Sequence, residues 1–389
     1  MASLLVAGLA TAGAQPALNS VEPGPFQALV AQQVRQMKVP GALVFLRTPQ
    51  GEFTFATGTS ELGKETTPRA DMHYRIASNT KTMTAATILL LAQQKKLALE
   101  DVISQYVDGV PNGERITLAQ LLSMRSGLYN YTDAPEMSRQ LDEDPSKAWT
   151  SGEVLAMAFS RPVNFEPGAA YEYCNTNYAL LGVVAEKMEG RPLAEIFQER
   201  LFRPLGLTQT QLRSDEALPQ PYSHGYMYGG SAYALTDIPY PAQLRGGKLP
   251  PHDYTYLNPS YATAAGGALS TATEQADWIE ALVDGRVFNA DTQSRWFREM
   301  WPQNPAAPEG QQYGYGITRM RWADNTMYFH GGEQPGYNSF IGRDPQHKVS
   351  LVVWTNLTLS LEGETTANAL MLKILDRLYR VSPLGPVNK

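Results

Sequence analysis

The sequence contains a single cysteine, Cys174, among 389 residues, and few of its residues are charged. One cysteine excludes an intrachain disulfide framework and a cysteine-based zinc site. Charged residues make up 18% of the chain, below the roughly 25% typical of soluble proteins. Hydrophobic residues reach 43%, which excludes a disordered chain. The net charge is −6 and no run of basic residues stands out, so we expect neither nucleic acid nor an anionic membrane as a partner.

Close histidine pairs and long apolar runs are also missing. The five histidines form no pair spaced like the metal ligands of H-E-x-x-H, so a histidine-dominated metal site is not expected. No stretch beyond the N-terminus approaches the roughly 18 apolar residues that a membrane-spanning helix needs. We therefore expect no stable insertion into a membrane.

The first residues have the features of an export signal. A short apolar stretch runs from Leu4 to Ala10, and Ala12-Gly13-Ala14 resembles a small-residue cleavage site, although no lysine or arginine precedes the stretch. We predict that residues 1–24 are a signal peptide and N-terminal tail, and that the protein is exported to the periplasm or secreted. If the stretch is not a signal, the protein is cytoplasmic.

Strand-like patterns are concentrated at the two ends of the chain. Two strands at one end and about four at the other cannot each form a stable independent sheet. We therefore predict an α/β (α+β) fold in which one antiparallel sheet is built from both termini and flanked by the terminal helices. The predicted strands cover residues 42–46, 53–57, 316–322, 326–330, 337–342 and 349–356.

The middle of the chain has helical periodicity instead. We predict an α/β domain formed by residues 25–85 and 265–385, with a mainly helical domain, residues 86–264, inserted into it. Clefts between two such domains are common sites for small molecules.

One segment of the middle region, residues 218–261, holds eight tyrosines and seven prolines and has no clear period. Its aromatic content argues against disorder, and a long aperiodic segment inside a compact domain is often functional. We interpret it as an ordered excursion along the cleft, with Tyr222, Tyr226 and Tyr228 as candidate walls. A surface loop without a binding role is the alternative.

Ser78 and Lys81 stand at the start of an apolar helical pattern that continues to Leu97. Residues three apart on a helix share a face, so the Lys81 amine can reach the Ser78 hydroxyl. Desolvation lowers the pKa of a lysine and makes it a usable base, and a serine needs such a base to become a nucleophile. The alternatives are that Ser78 only caps the helix and that Lys81 extends to solvent.

Two further elements carry polar groups of the kinds that catalysis uses. Tyr173-Cys174-Asn175 precedes an amphipathic helical pattern, although Tyr256-Leu257-Asn258 has the same spacing. His330-Gly331-Gly332 ends a predicted strand, where two glycines let a substrate backbone approach closely. A single histidine is more often structural than catalytic.

Together these elements resemble the serine β-lactamase and penicillin-binding-protein family. The resemblance runs from about residue 26 to residue 379, and points to the branch of class C β-lactamases, D-Ala-D-Ala carboxypeptidases, D-aminopeptidases, D-amino-acid amidases and esterases. The segments that carry it are Y-R-I-A-S-N-T-K at 74–81, R-S-G-L at 125–128, Y-C-N-T-N-Y at 173–178, A-G-G at 265–267 and H-G-G at 330–332. They are specific for the family and poorly specific for the substrate.

The resemblance implies that Ser78 attacks a carbonyl and forms an acyl-enzyme. Lys81 and Tyr173 would share the proton transfers, and which of them is the general base stays open. Asn175 would hold the substrate amide or the Lys81 amine. His330 would help to protonate the leaving group or steady the Tyr173 hydroxyl.

The oxyanion hole implied by the same resemblance consists of the backbone N–H groups of Ser78 and Glu333. No metal or organic cofactor is implied, and the expected partner is a small-molecule or peptide substrate. Cys174 stands where the family usually has serine, and we do not predict it as a nucleophile.

Departures from the family pattern bear on the substrate. Gly331 lacks the hydroxyl with which relatives hold a substrate carboxylate, and Glu333 adds a negative charge. Both disfavour a free carboxylate, unless Arg319 or Arg321 compensates, and favour an amine or a neutral group. The residues predicted to bind substrate are Gly331, Gly332, Glu333, Tyr129, Tyr131, Tyr226 and Arg319.

The favoured function is therefore a serine hydrolase acting on amide or peptide bonds, of D-stereospecific peptidase, carboxypeptidase or amidase type. A carboxylesterase and a class C-like β-lactamase are alternatives on the same scaffold. A penicillin-binding or sensor protein without turnover is an alternative of another class.

Overall fold

The structure, a computed structural model, describes residues 17–236, 238–246 and 249–383. The predicted signal peptide therefore lies mostly outside the described residues, and export stays a prediction.

The helices of the described residues are α1 (Pro23–Met37), α2 (Thr80–Gln93), α3 (Leu118–Leu122), α4 (Pro135–Glu143), α5 (Ser151–Phe159), α6 (Asn175–Glu189), α7 (Leu193–Phe197), α8 (Arg203–Leu205), α9 (Ala232–Leu235), α10 (Ala242–Arg245), α11 (Thr263–Gly266), α12 (Ala272–Val283), α13 (Ala290–Arg298) and α14 (Thr366–Leu378).

The strands are short in the middle of the chain and longer near its ends. They are β1 (Gly41–Thr48), β2 (Gly51–Gly58), β3 (Tyr74–Arg75), β4 (Gln211–Leu212), β5 (Tyr226–Met227), β6 (His252–Asp253), β7 (Ala268–Ser270), β8 (Trp301–Pro302), β9 (Gln312–Tyr313), β10 (Thr318–Trp322), β11 (Asn325–Gln334), β12 (Tyr337–Asp344) and β13 (Val349–Thr355). In none of the described ranges is a helix both long and apolar enough to cross a membrane.

The main sheet has eight strands in the order β2-β1-β13-β12-β11-β10-β9-β8. Every neighbouring pair in it is antiparallel. Strand β1 lies between β2 and β13, with Ala42 opposite Thr355 and Leu46 opposite Leu351. This confirms the predicted antiparallel sheet built from both ends of the chain. The short edge strands β8 and β9 were not predicted.

Both faces of the main sheet are covered, which explains why β1 and β13 are almost wholly buried. On one face, Phe26 of α1 and Ile374 of α14 pack with Val44 and Val353. This confirms that the terminal helices flank the sheet. On the other face, side chains such as Trp278 of α12 join a larger core that extends into the helical region.

Strand β11 is longer than predicted. The sequence prediction ended this strand at His330, but it continues to Gln334 and pairs with β12, with Gly331 opposite Phe340 and Gly332 opposite Ser339. Glycine weakens an isolated strand, but here the ladder to β12 fixes the backbone. His330-Gly331-Gly332 therefore lies inside the sheet instead of at the end of a strand.

Helix α2 is buried around most of its circumference, as its apolar sequence predicts. All residues from Thr80 to Leu89 are buried. Its hydroxyl groups reach neighbouring elements: Thr82 Oγ1 accepts from Trp278 Nε1 at 2.7 Å, and Thr84 Oγ1 donates to the Ala264 carbonyl at 2.7 Å. The limits of the two predicted domains stay a prediction, and residue 85 lies inside this continuous helix.

The tyrosine- and proline-rich segment 218–261 contains β5, β6, α9 and α10 in its described parts. Tyr226 and Tyr228 are only 4% and 7% exposed, and Tyr226 Oη accepts from the Leu62 N–H at 2.8 Å. Both side chains pack into the core beneath the sheet, so they do not have the position of the predicted cleft walls. Tyr222 is partly exposed, and its hydroxyl pairs with that of Tyr256 at 2.8 Å.

Candidate active site

Ser78 lies in a single 3-10 turn, Ala77–Asn79, between β3 and α2. Ala77 has a φ of +48°, a left-handed conformation that costs an L-residue roughly 1–2 kcal/mol. The turn is fastened to β12, because Asn79 Nδ2 donates to Ser339 Oγ at 2.9 Å and Ser339 Oγ donates to the Ile76 carbonyl at 3.1 Å. Ser78 is partly exposed between two buried neighbours, so its hydroxyl is presented to a substrate.

The Lys81 amine is fully buried, 0% exposed. Nζ lies 3.0 Å from Ser78 Oγ, 2.7 Å from Asn175 Oδ1 and 2.7 Å from the Ala265 carbonyl oxygen. None of these three groups is charged. Burial lowers the pKa of Lys81 well below its usual value, so the amine is neutral over a wide pH range.

Asn175 is held in one orientation by its neighbours. Its Nδ2 donates to Thr132 Oγ1 at 3.0 Å, and its backbone N–H donates to Asn130 Oδ1 at 2.9 Å. This network assigns the amide oxygen to the Lys81 side. Of the two predicted roles of Asn175, the structure shows the contact with the Lys81 amine.

Tyr173 stands over the same amine, with Lys81 Nζ 4.8 Å from the centre of the Tyr173 ring. Burial raises the pKa of Tyr173 well above its usual value, although the nearby Ser78 hydroxyl acts in the opposite direction. The phenol therefore keeps its proton at neutral pH.

His330 lies in β11 beside Tyr173, with ring centres 6.3 Å apart. Its Nδ1 is 2.6 Å from the Gly331 carbonyl oxygen, which can only accept, so Nδ1 carries the proton. Nε2 then accepts from the Tyr313 hydroxyl at 3.1 Å. Burial, together with the charge of Lys81 when protonated, lowers the pKa of His330 to about 3, so the ring is neutral at physiological pH.

Tyr313 was not predicted from the sequence. It is 1% exposed and packs edge-on against Tyr173, with ring centres 6.4 Å apart. It belongs to the two-residue strand β9, which leaves no alternating pattern to detect. The sequence also did not predict that the Ala265 carbonyl accepts a hydrogen bond from Lys81. Ala265 belongs to the A-G-G segment of the family resemblance, but a backbone acceptor has no side chain by which the sequence could reveal it.

Gly332 lets β11 approach the Ser78 turn. A Cβ atom on Gly332 would stand 2.2 Å from the Ile76 carbonyl oxygen and 2.5 Å from Ser339 Oγ. Atoms next to the Ser78 turn thus fill the space that a side chain at position 332 would need. Glu333, whose N–H is predicted to complete the oxyanion hole, is the next residue along the strand.

The other predicted substrate-binding residues are less close to this cluster. Tyr131 is 0% exposed and its hydroxyl donates to the Tyr261 carbonyl at 2.8 Å, so it cannot touch a substrate in this conformation. Tyr129 is partly buried, with the Arg161 guanidinium 5.9 Å from its ring centre. Arg319 is partly buried, and its Nε donates to Gln312 Oε1 at 3.0 Å. Tyr226 lies in the core described above.

Cys174 is buried at the N-cap of α6, with Sγ 3.4 Å from the Leu128 carbonyl oxygen. Burial raises the pKa of this thiol to about 12. A thiol that stays protonated is a poor nucleophile. Among the described residues, no group of three or more histidine, cysteine, aspartate or glutamate side chains could hold a metal ion.

The model of the Beta-lactamase family matches residues 26–376 of the sequence. The match covers most of the chain, including all the clustered residues. The chain belongs to the Beta-lactamase family.

Solved structures of other family members have the same fold over nearly their whole length. A D-stereospecific amidohydrolase from Streptomyces sp. is 27% identical, with a TM-score of 0.77 over 90% of this chain and 97% of that one. The D-amino acid amidase from Ochrobactrum anthropi SV3 is 26% identical, with a TM-score of 0.77 over 91% of this chain and 98% of that one.

Curated relatives within the family are penicillin-binding-protein-like. The putative penicillin-binding protein PbpX of Bacillus subtilis is 23% identical over 285 residues, which are 73% of this chain and 62% of PbpX. Penicillin-binding protein 4* of the same organism is 24% identical over 322 residues, 79% of this chain and 66% of the relative. The chain thus spans about three fifths of the length of the first relatives it matches.

The close approach at Gly332 leads to a stability prediction for this family member. Gly332→Ala is expected to lower the melting temperature by several degrees and to abolish activity, because the new methyl group overlaps backbone atoms. Gly331→Ala is the matched control. Its Cβ would meet the Asn368 side chain at 3.5 Å and the Ser339 carbonyl oxygen at 3.9 Å, both ordinary contact distances, so thermal unfolding should stay close to that of the wild type. Equal melting temperatures for the two variants would contradict this packing argument.

Proposed function

We propose that this protein is a serine hydrolase that cleaves amide bonds through an acyl-enzyme on Ser78, and that its substrates are D-configured amino-acid amides or short peptides with a free amine. The observation that supports an acyl-enzyme on Ser78 is the position of the buried Lys81 amine, 3.0 Å from Ser78 Oγ. The likeness to two D-specific amidases over 90% or more of both chains supports the substrate class.

Lys81 is the general base of this proposal. A neutral amine has two hydrogens and one lone pair. Asn175 Oδ1 and the Ala265 carbonyl can only accept, so they take the two hydrogens. The lone pair then faces Ser78 Oγ and receives its proton as the serine attacks the substrate carbonyl.

Tyr173 carries the proton to the leaving group. Its phenol is protonated and lies near Ser78, so it can donate to the departing amine and take a proton back from the Lys81 ammonium. The N–H groups of Ser78 and Glu333 stabilise the negative oxygen of the tetrahedral intermediate. A water molecule, activated by the same groups, then releases the acyl product and restores Ser78.

His330 acts by position and not as an acid in this proposal. Both of its ring nitrogens are engaged, Nδ1 with the Gly331 carbonyl and Nε2 with the Tyr313 hydroxyl. With a pKa near 3, the ring has no proton to donate from Nε2 at neutral pH. It fixes Tyr313, whose ring packs against Tyr173.

The amine of the substrate is assigned to Glu333. Glu333 raises the pKa of both Tyr173 and Tyr240, although burial is the larger cause in each case, and this supports a position of its carboxylate near both rings. A carboxylate suits an ammonium group, so Glu333 is the candidate partner of the amine. Tyr240 is 3% exposed and packs into the same core as Tyr226 and Tyr228, so it is not assigned to the cleft.

A panel of D- and L-aminoacyl amides, p-nitrophenyl esters and nitrocefin tests the reaction class. We expect turnover of D-aminoacyl amides and an acyl adduct on Ser78, detected by mass spectrometry. Ser78→Ala should abolish both and leave the circular dichroism spectrum unchanged. Turnover of esters without any amide supports an esterase instead, and an adduct on another residue, including Cys174, refutes the site.

The pH profile tests the assignment of Lys81. Because the neutral amine is the base, activity appears as pH rises through the pKa of Lys81. Asn175→Asp places a carboxylate near Nζ, which favours the ammonium, so the acid limb of kcat/KM should move up by roughly 1–3 pH units. Asn175→Ala removes the acceptor without adding charge and should lower the rate without this upward shift. An unmoved limb in Asn175→Asp argues against Lys81 as the base.

Glu333→Gln tests the amine site. The loss of one charge-assisted hydrogen bond should lower kcat/KM for substrates with a free amine by roughly 10- to 100-fold. N-acetylated amides lack the charge and should change little. Glu362→Gln, at an exposed position, is the control. Equal losses for free and acetylated substrates would indicate that Glu333 does not bind the amine.

A further inference from the structure

Arg75 is a second buried cation, three residues before Ser78 and outside the catalytic cluster. Its side chain belongs to β3 and is 2% exposed. Nη2 donates to the Glu216 carbonyl at 2.9 Å and lies 3.5 Å from the Thr255 carbonyl oxygen. Nε and Nη1 have no acceptor among the residues that the structure describes. A guanidinium does not give up its proton as a buried lysine can.

In the described part of the chain, no carboxylate forms a hydrogen bond with Arg75. Asp215 raises the pKa of Arg75, but Arg213 holds Asp215 with two hydrogen bonds, both 2.7 Å long. Burial has the largest effect on the pKa of Arg75 and lowers it, and the phenols of Tyr337 and Tyr261 follow. Burial raises the pKa of both phenols, so neither becomes an anion.

Tyr261 adds a second group without a partner. Its side chain is 2% exposed, and its hydroxyl has no hydrogen-bond partner among the described residues. The Tyr337 hydroxyl, by contrast, donates to the Ser223 carbonyl at 2.8 Å. Within the described part of the chain, Arg75 and Tyr261 therefore leave buried N–H and O–H donors unused, and such donors are costly in a protein interior.

We propose that Arg75 and Tyr261 bind a small monovalent anion of the chloride type. The near-complete burial of both side chains excludes a substrate carboxylate at this position. The carbonyls that Arg75 also contacts belong to Glu216, just before the tyrosine-rich segment, and to Thr255, inside it. Arg75 thus fastens these residues to the strand that leads into the Ser78 turn, and the anion neutralises its charge there. The site is independent of the proposed reaction.

Crystals grown in chloride-free buffer and soaked in sodium bromide test the proposal directly. We expect an anomalous bromide peak in contact with the Arg75 guanidinium and the Tyr261 hydroxyl. A map with water, or nothing, between these groups overturns the proposal. This experiment uses the unaltered chain and does not depend on which substrate the enzyme cleaves.

Thermal unfolding in sodium chloride and sodium gluconate at equal ionic strength gives a second test. Chloride should raise the melting temperature of the wild type by a few degrees over gluconate. Tyr261→Phe, which removes only a hydroxyl, should reduce this difference, and Arg75→Gln should abolish it. Arg69→Gln, at an exposed ion pair, should keep it. Equal melting temperatures of the wild type in the two salts overturn the proposal, even if Arg75→Gln does not fold.

Discussion

A lysine amine buried without a counter-ion is the constraint on which the catalytic cluster depends. Lys81 stays neutral only because water is kept away from it. The unusual composition of α2 follows from this requirement, since a helix with a polar face would admit solvent beside Nζ. The acceptors that orient the amine come from two other regions, the start of α6 and the segment before β7. Three distant parts of the chain thus converge on one nitrogen atom.

The main sheet supplies the opposite wall of the cluster. Strand β11 approaches the Ser78 turn because Gly332 has no side chain, and Ser339 on β12 fastens the turn to the sheet. The proposed base, Lys81, is therefore held by a helix and the proposed nucleophile, Ser78, by a turn fastened to the sheet, whereas the predicted oxyanion group at Glu333 is held by strands. A rigid sheet and a buried helix fix these groups relative to each other better than loops could.

The sequence predicts much of this arrangement, and its failures have physical causes. The spacing of apolar residues, together with the number of predicted strands near each end of the chain, was enough to predict the main sheet and the buried helix α2. Three features depend on neighbours that are distant in sequence. They are the pairing with β12 that extends β11 through two glycines, the packing of Tyr313 against Tyr173, and the hydrogen bond from Lys81 to the Ala265 carbonyl. An aperiodic tyrosine-rich segment also gives no indication of which rings face inward, so the burial of Tyr226 could not be predicted.

The place of β12 in the sheet has a consequence for when the enzyme becomes reactive. Every residue assigned to catalysis, from Ser78 to Glu333, precedes Tyr337, the first residue of β12. Yet β12 carries Ser339, which anchors the Ser78 turn, and it pairs with the strand that contains Gly332. During synthesis, the chain therefore contains all the residues assigned to catalysis before β12 is present to position them. In the proposed reaction, Ser78 can therefore form an acyl-enzyme only after β12 has joined the sheet.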